Sequence, residues 1–281
     1  MSLQTLSEWL RCPNCFLPLA PTAALSFGCS AGHSFDVNKR GYVTLMSGPH
    51  RFIGDSPAML DARDRFQSGG FYAPLQTAIS VTVAAERPGR IVDIGCGSGY
   101  YLHAALSASA VADPAASPRG LAMDLSPAAV SRTIRLIPEA DGLIADVWAS
   151  LPIRDAAANV ILNVFAPRNA AEFHRVLAPG GLLLVVVPQQ THLQELRDAG
   201  LAVDMQPDKA RHLVDGLAAH FELETRQPLS SVLSLSATDV GAVLGMGPSA
   251  HHAGAQTVLE VDTQTSVTAA FDIFGFRRRA L

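Results

Sequence analysis

Apolar residues in this chain fall into two patterns: short solid blocks, and stretches where they recur every three or four positions. Ile91, Val92 and Ile94 make one block; GCGSG follows, and YYLHAAL then takes up the helical period. That order predicts a strand, a glycine turn and a helix N-terminus. A second block ends at Asp124, and Ser126-Pro127 opens the next helix. Further blocks stand at DGLIAD (141–146), at ANVILNVFAP from 158 and at LLLVVV (182–187), with a helix over 169–178. Amphipathic helices are predicted near 56–68 and 73–86, ahead of the first block. Strands alternating with helices predict an α/β fold with a mostly parallel sheet. Past residue 200 the pattern weakens. SATDVGAVLGMGPSAHHAG reads as a helix and a glycine-rich loop fit to wall a pocket, and VLEVDTQTSVTAAFDIFGF alternates like a closing strand or strand pair.

Composition adds bounds. The chain has 281 residues, 48% hydrophobic and 16% charged, enough for a large domain and a small one. Its net charge of −4 excludes a globally basic nucleic-acid binder. No apolar run approaches the ~18 residues of a membrane span. MSLQTLSEWLRCP lacks the basic start and apolar core of a secretion signal. A cytoplasmic, reducing setting is therefore expected, where paired cysteines read first as metal ligands.

Three of the four cysteines sit in CPNCFLPLAPTAALSFGCSAGH, residues 12–33. Cys12-x2-Cys15 supplies one edge of a tetrahedron and Cys29-x3-His33 the other, the donor set of a closed structural zinc site. Pro13, Asn14, Gly28 and Gly32 allow the two turns. So small a segment, poor in large apolar residues, needs the metal to fold.

The glycine turn reads Asp93-x-Gly95-x-Gly97-x-Gly99, neither the dinucleotide fingerprint nor a phosphate loop. Asp124 ends the second strand, where an acid can take both hydroxyls of a ribose, and Asp146 follows the third. With HRVLAPGGLLLVVVP after strand four, this series resembles class I S-adenosylmethionine-dependent methyltransferases. That implies a Rossmann-like sheet, helices on both faces and an antiparallel last strand. Cys96 is then only a small residue in a tight loop.

The zinc segment, the linker GDSPAMLDARDRFQSGGFYAPL, GCGSGYY, NVFAP and PQQTHLQEL together resemble the RlmA family of 23S ribosomal RNA guanine-N1 methyltransferases over essentially the whole chain. Actinobacterial members include a macrolide (tylosin) resistance determinant. The resemblance implies a zinc module that helps recognise an RNA hairpin and a C-terminal domain that transfers the methyl. It implies a cofactor pocket of Tyr72, Gly99, Tyr100, Asp124, Asp146 and His192 beside Asp93, Gly95 and Gly97. It also implies a homodimer. Asn163 and Phe165, at the end of strand four, are candidates to hold and stack the target base. Asp55 and Asp146 are candidates, by residue type only, for the base that takes the guanine N1 proton.

Residues 1–48 are expected to form the zinc domain, 49–88 a helical linker and 89–281 the methyltransferase domain. Lys39, Arg40 and Arg51 make a modest basic strip, and RRR stands at 277–279. A small-molecule methyltransferase with a structural zinc module is the second reading; mild acidity and the lack of basic tracts favour it. A non-enzymatic RNA-binding protein is the third; the intact glycine loop and Asp124 speak against it. His251 and His252 read as a surface loop, not a metal site.

Overall fold

The computed structural model describes residues 3–46, 54–115, 117–204, 208–247 and 264–280. Arg51, His251, His252 and most of the glycine-rich loop after SATDVGAVLG lie outside the described residues.

The blocks of the second half assemble as strands β5 (Arg90–Ile94), β6 (Arg119–Asp124), β7 (Ala140–Ile144), β8 (Ala158–Val164) and β9 (Leu177–Pro188). The first four are buried almost end to end, and β9 from Leu182 to Val187, because both faces of a parallel sheet are covered. With β4 (Tyr42–Thr44), β10 (Phe221–Leu235) and β11 (Thr265–Arg278), they form an eight-stranded sheet ordered β10-β11-β9-β8-β5-β6-β7-β4. β11 runs antiparallel to both its neighbours, β9 and β10, as expected of the closing strand, and the remaining pairs are parallel. From β5 the chain builds outward through β6 and β7, then crosses back to β8. The tips of β5 and β8 are thus the topological switch point, where open α/β sheets hold ligands.

One face of the sheet packs α2 (Pro57–Ser68), α3 (Ala73–Ala85), α4 (Tyr100–Ala112), α5 (Pro127–Leu136) and α9 (Ala237–Gly245). Their starts follow the sequence signals. Ser56 and Ser126 cap α2 and α5 by accepting from Met59 N and Ala129 N, each with proline at the first turn. The opposite face packs α6 (Ala170–Val176), α8 (Lys209–Leu217), α1 (Leu3–Trp9) and a small sheet of β1 (Ala20–Ala23), β2 (Ser26–Gly28) and β3 (Ser34–Asp36).

Three details depart from the sequence reading. The helix from 169 stops at Val176: Leu177 turns extended, and LAPGG belongs to β9. β10 had no counterpart in the pattern. It is an edge strand, exposed along most of its length, so it carries no apolar alternation, and its Pro228 is tolerated there. The last strand of the first 48 residues, β4, pairs in parallel with β7, so this segment adds to the large sheet as well as folding on itself.

Candidate functional site

Two turns carry the expected metal ligands. In the first, Phe16 N donates to Cys12 O at 2.9 Å and Cys12 N to Leu17 O at 2.7 Å, with Phe16 left-handed. In the second, Gly32 N donates to Cys29 O at 3.0 Å, and Gly32 takes a φ of 86° that a larger residue would resist. The turns bring Cys12, Cys15, Cys29 and His33 together with all four ligand atoms within 4.8 Å of one another. Cys15 Sγ stands 3.6 Å from Cys29 Sγ, and His33 Nδ1 stands 3.6 and 3.4 Å from the sulfurs of Cys12 and Cys29. Zinc–sulfur bonds of ~2.3 Å give tetrahedral edges of ~3.8 Å, so the cage fits that ion closely.

At the other end, Gly95, Gly97 and Gly99 all have positive φ. A Cβ on Gly95 would stand 2.5 Å from the Cβ of Ala166 beyond β8, so the two strand tips close on each other only with glycine there. The Asp124 carboxylate accepts from Gly97 N at 3.1 Å and Ser126 N at 2.9 Å. Burial pushes its pKa up, and these two bonds pull it back. Asp93, near the end of β5, is buried, and its carboxylate makes no hydrogen bond among the described residues; burial first, then Asp124, pushes its pKa up to about 7. Asp146 lies two residues beyond β7 and accepts from Trp148 N at 2.9 Å, which shapes the turn under the exposed indole. Three acids thus stand at three neighbouring strand tips.

Beside the switch point lies a cup of aromatic rings. Tyr72, at the start of α3, meets Phe271 at 5.0 Å between centroids, His192 at 6.2 Å and Phe165 at 6.5 Å. Tyr101 meets Phe165 at 6.4 Å. Ala270 N donates to His192 Nδ1 at 3.2 Å, so the proton of the neutral ring sits on Nε2. Nε2 then donates to the Tyr72 oxygen at 3.3 Å and leaves the phenol hydrogen free to point elsewhere. Burial first, then Arg197 and Lys209, lowers the His192 pKa to about 4.

The two strand-four candidates separate. Phe165 has φ 56°, which breaks the strand alternation, and its ring is 44% exposed. Asn163 does not face the opening. It is fully enclosed, its amide nitrogen donates to Pro167 O at 2.9 Å and Ile94 O at 3.5 Å, and its Oδ1 has no partner among the described residues. Tyr100 meets Tyr101 edge-on at 5.1 Å between centroids, and its carbonyl accepts from Gln76 Nε2 at 3.0 Å. Asp55 is held by Arg63, whose Nη1 donates to its Oδ2 at 2.5 Å.

Residues that pattern did not single out complete the site. Arg63 comes from α2, inside the quoted AR of the linker. Tyr101 is the second tyrosine of GSGYY. Trp148, one of two tryptophans in the chain, stands exposed on the turn that Asp146 shapes.

A glycine loop at a switch point, acids at successive strand tips and a separate Cys3His cage define a class I methyltransferase carrying a zinc ribbon. Residues 10–51 match the family model described as RlmA, N-terminal. The chain is 42% identical to the 23S rRNA (guanine(748)-N(1))-methyltransferase of Streptomyces fradiae, covering 87% of this chain and 86% of that one. It is 37% identical to a putative 23S rRNA (guanine-N(1)-)-methyltransferase of Micromonospora griseorubida, covering 95% and 97%. The chain therefore belongs to the RlmA-type 23S rRNA (guanine-N1)-methyltransferase family. Among solved structures it is similar to the YcgJ protein of Bacillus subtilis at 16% identity and a TM-score of 0.48, over 73% of this chain and 99% of that one.

Proposed function

We propose that this protein methylates N1 of a guanine in a hairpin of 23S ribosomal RNA, with S-adenosylmethionine as donor and zinc as a structural ion. The observation that carries this is the placement of the aromatic cup beside a glycine loop and acids suited to an adenosyl amino acid. The bound cofactor supplies a methyl on a sulfonium; guanine N1 gains it and loses its proton, and the sulfonium becomes a thioether. The protein's part is alignment and exclusion of water.

Asp124 faces the ribose, Asp93 the amino-acid end and Asp146, through its turn, the adenine side. Tyr72, oriented by His192, closes the pocket from before the sheet. Phe165 is the exposed ring of the cup and stacks on the target base. Asn163 acts through its amide on the strand tips, not on the base. Neither Asp55 nor Asp146 is assigned as the proton acceptor.

Charge near the cup favours a polyanion. Lys209 is held below the usual lysine range by burial, then by Arg168 and Arg197. Three cations repelling one another in a protein of net charge −4 suit an RNA backbone better than a neutral metabolite. We assign the residues up to 48 to RNA recognition and expect a dimer in solution, checked by its scattering mass. No described helix is long and apolar enough to cross a membrane.

The test is incubation with labelled S-adenosylmethionine and unmodified 23S RNA, followed by primer extension. A stop at one guanine is the expected result. Label confined to small metabolites would favour the second reading, and cofactor binding without any transfer the third.

A further inference from the structure

We infer that Arg63 and the hydroxyl of Tyr101 form an anion subsite beside the glycine loop, which takes the α-carboxylate at the amino-acid end of the cofactor. This rests on the cofactor reading above.

Arg63 reaches the loop from α2. A Cβ on Gly97 would stand 2.7 Å from its Nη1, so the guanidinium lies against the bare backbone of the turn. Its side chain is 22% exposed, enclosed but not sealed. Asp55 Oδ2 takes one N–H at 2.5 Å and Met246 O another at 2.9 Å. Those bonds fix the plane of a five-donor group and use only part of it.

Tyr101 supplies an independent sign. Its hydroxyl is buried and has no hydrogen-bond partner among the described residues. Leaving such a group unpaired costs roughly 1–3 kcal/mol, a cost that a bound acceptor removes. Burial first, then Tyr72 and Tyr100, pushes the hydroxyl's pKa well up, and the Arg63 charge pulls it down. α4, which starts here, has Gly99 at its cap and no side chain capping its first amides, so its positive end faces the same place.

The charges sort a zwitterion. Asp93 and Asp124 lie on the acidic side and repel a carboxylate while attracting an ammonium. Arg63 lies against the Cα of Gly97, whose N–H donates to Asp124, and Asp55 offsets part of its charge. A molecule carrying both signs is matched, whereas a bare anion is not.

The test compares S-adenosylhomocysteine with 5′-methylthioadenosine, which keeps the nucleoside and lacks the amino-acid end. Calorimetry on the intact, zinc-loaded chain reads both. Arg63→Ala is expected to weaken the first about tenfold and leave the second within about twofold, the loss of one charge-assisted pair. Arg63→Lys should recover part of that loss, and Tyr101→Phe should give a smaller, about threefold, loss with the same selectivity. Parallel loss of both ligands in Arg63→Ala and Tyr101→Phe, or no loss in either variant, overturns the subsite and leaves the cofactor reading standing. Wild-type protein that binds neither nucleoside overturns both.

Discussion

Half-buried His192 and buried Asp93 stand at the same end of the sheet, and their pKa values have moved in opposite senses. His192 falls to about 4, so the folded protein holds it neutral while the unfolded chain charges it near pH 6.5. Its contribution is present above the unfolded pKa and is lost as pH falls toward 4. Asp93 rises to about 7 from a usual 3.8. Its contribution is present below pH 3.8 and is lost as pH rises toward 7. Each shift corresponds to about 3–4 kcal/mol at most, so between pH 4.5 and 6.5 the two slopes oppose and largely cancel. Removing one exposes the other. Asp93→Asn is expected to lose stability as pH drops through that window, and His192→Gln to gain it. Denaturant melts at pH 4.5, 5.5 and 6.5 check this; equal slopes in both variants would refute it. Phe165 belongs to the same scale. A left-handed, half-exposed phenylalanine at a strand tip is held there at a cost of about 1–3 kcal/mol, a sign of use rather than packing. Phe165→Ala should lower kcat/KM on RNA about tenfold and leave S-adenosylhomocysteine affinity within about threefold, one lost base stack. Parallel loss of both would make the ring a packing element.

Strand tips explain what the sequence could and could not disclose about the elements. β5, β6, β8 and β9 were legible because a strand covered on both faces must be apolar at every position. The acids at their ends were legible because a charge closing an apolar block needs a reason. β10 was not legible, since an edge strand with a solvated face keeps no period of two. Arg63 was not, because its approach to Gly97 depends on how α2 lies across the loop. Asn163 was legible at its strand end, but its bond to the neighbouring strand tip was not. By alternation it shares the side of Ile161 and Ile94, where it ties the tip of β8 to that of β5. Asn163→Ala therefore removes a link between elements. It is expected to cost about 1–3 kcal/mol and to weaken cofactor binding along with turnover, because Gly95 follows directly on Ile94. Unchanged S-adenosylhomocysteine affinity with impaired RNA methylation would return Asn163 to the substrate.

On the scale of the molecule, the zinc ribbon behaves as a missing layer of the α/β fold. The crossover from β7 to β8 contains no helix, so this face of the sheet lacks a cover. α1 and the ribbon occupy the gap. Leu6, Trp9, Leu10, Leu19 and Phe27 share one apolar core with Val92, Leu121, Leu143, Leu151 and Ile153. Polar bonds sew the seam. Buried Asp141 accepts from Trp9 Nε1 at 3.0 Å, Thr5 Oγ1 at 3.2 Å and Arg119 Nη2 at 3.1 Å. Arg154 donates to Leu10 O at 2.8 Å and Leu19 O at 3.1 Å, and Arg11 Nε to Leu151 O at 3.0 Å. Cys12 is at once a member of the cage and of that core. The metal's binding energy therefore reaches the sheet through shared burial, and the two parts should unfold together. Stripping the ion with a chelator is expected to lower the melting temperature of the whole chain by at least about 10 °C in a single transition, at ~2–4 °C per kcal/mol for a domain of this size. Calorimetry showing two transitions, with only the smaller one moved by the chelator, would mean that the ribbon is a separate body resting on the sheet.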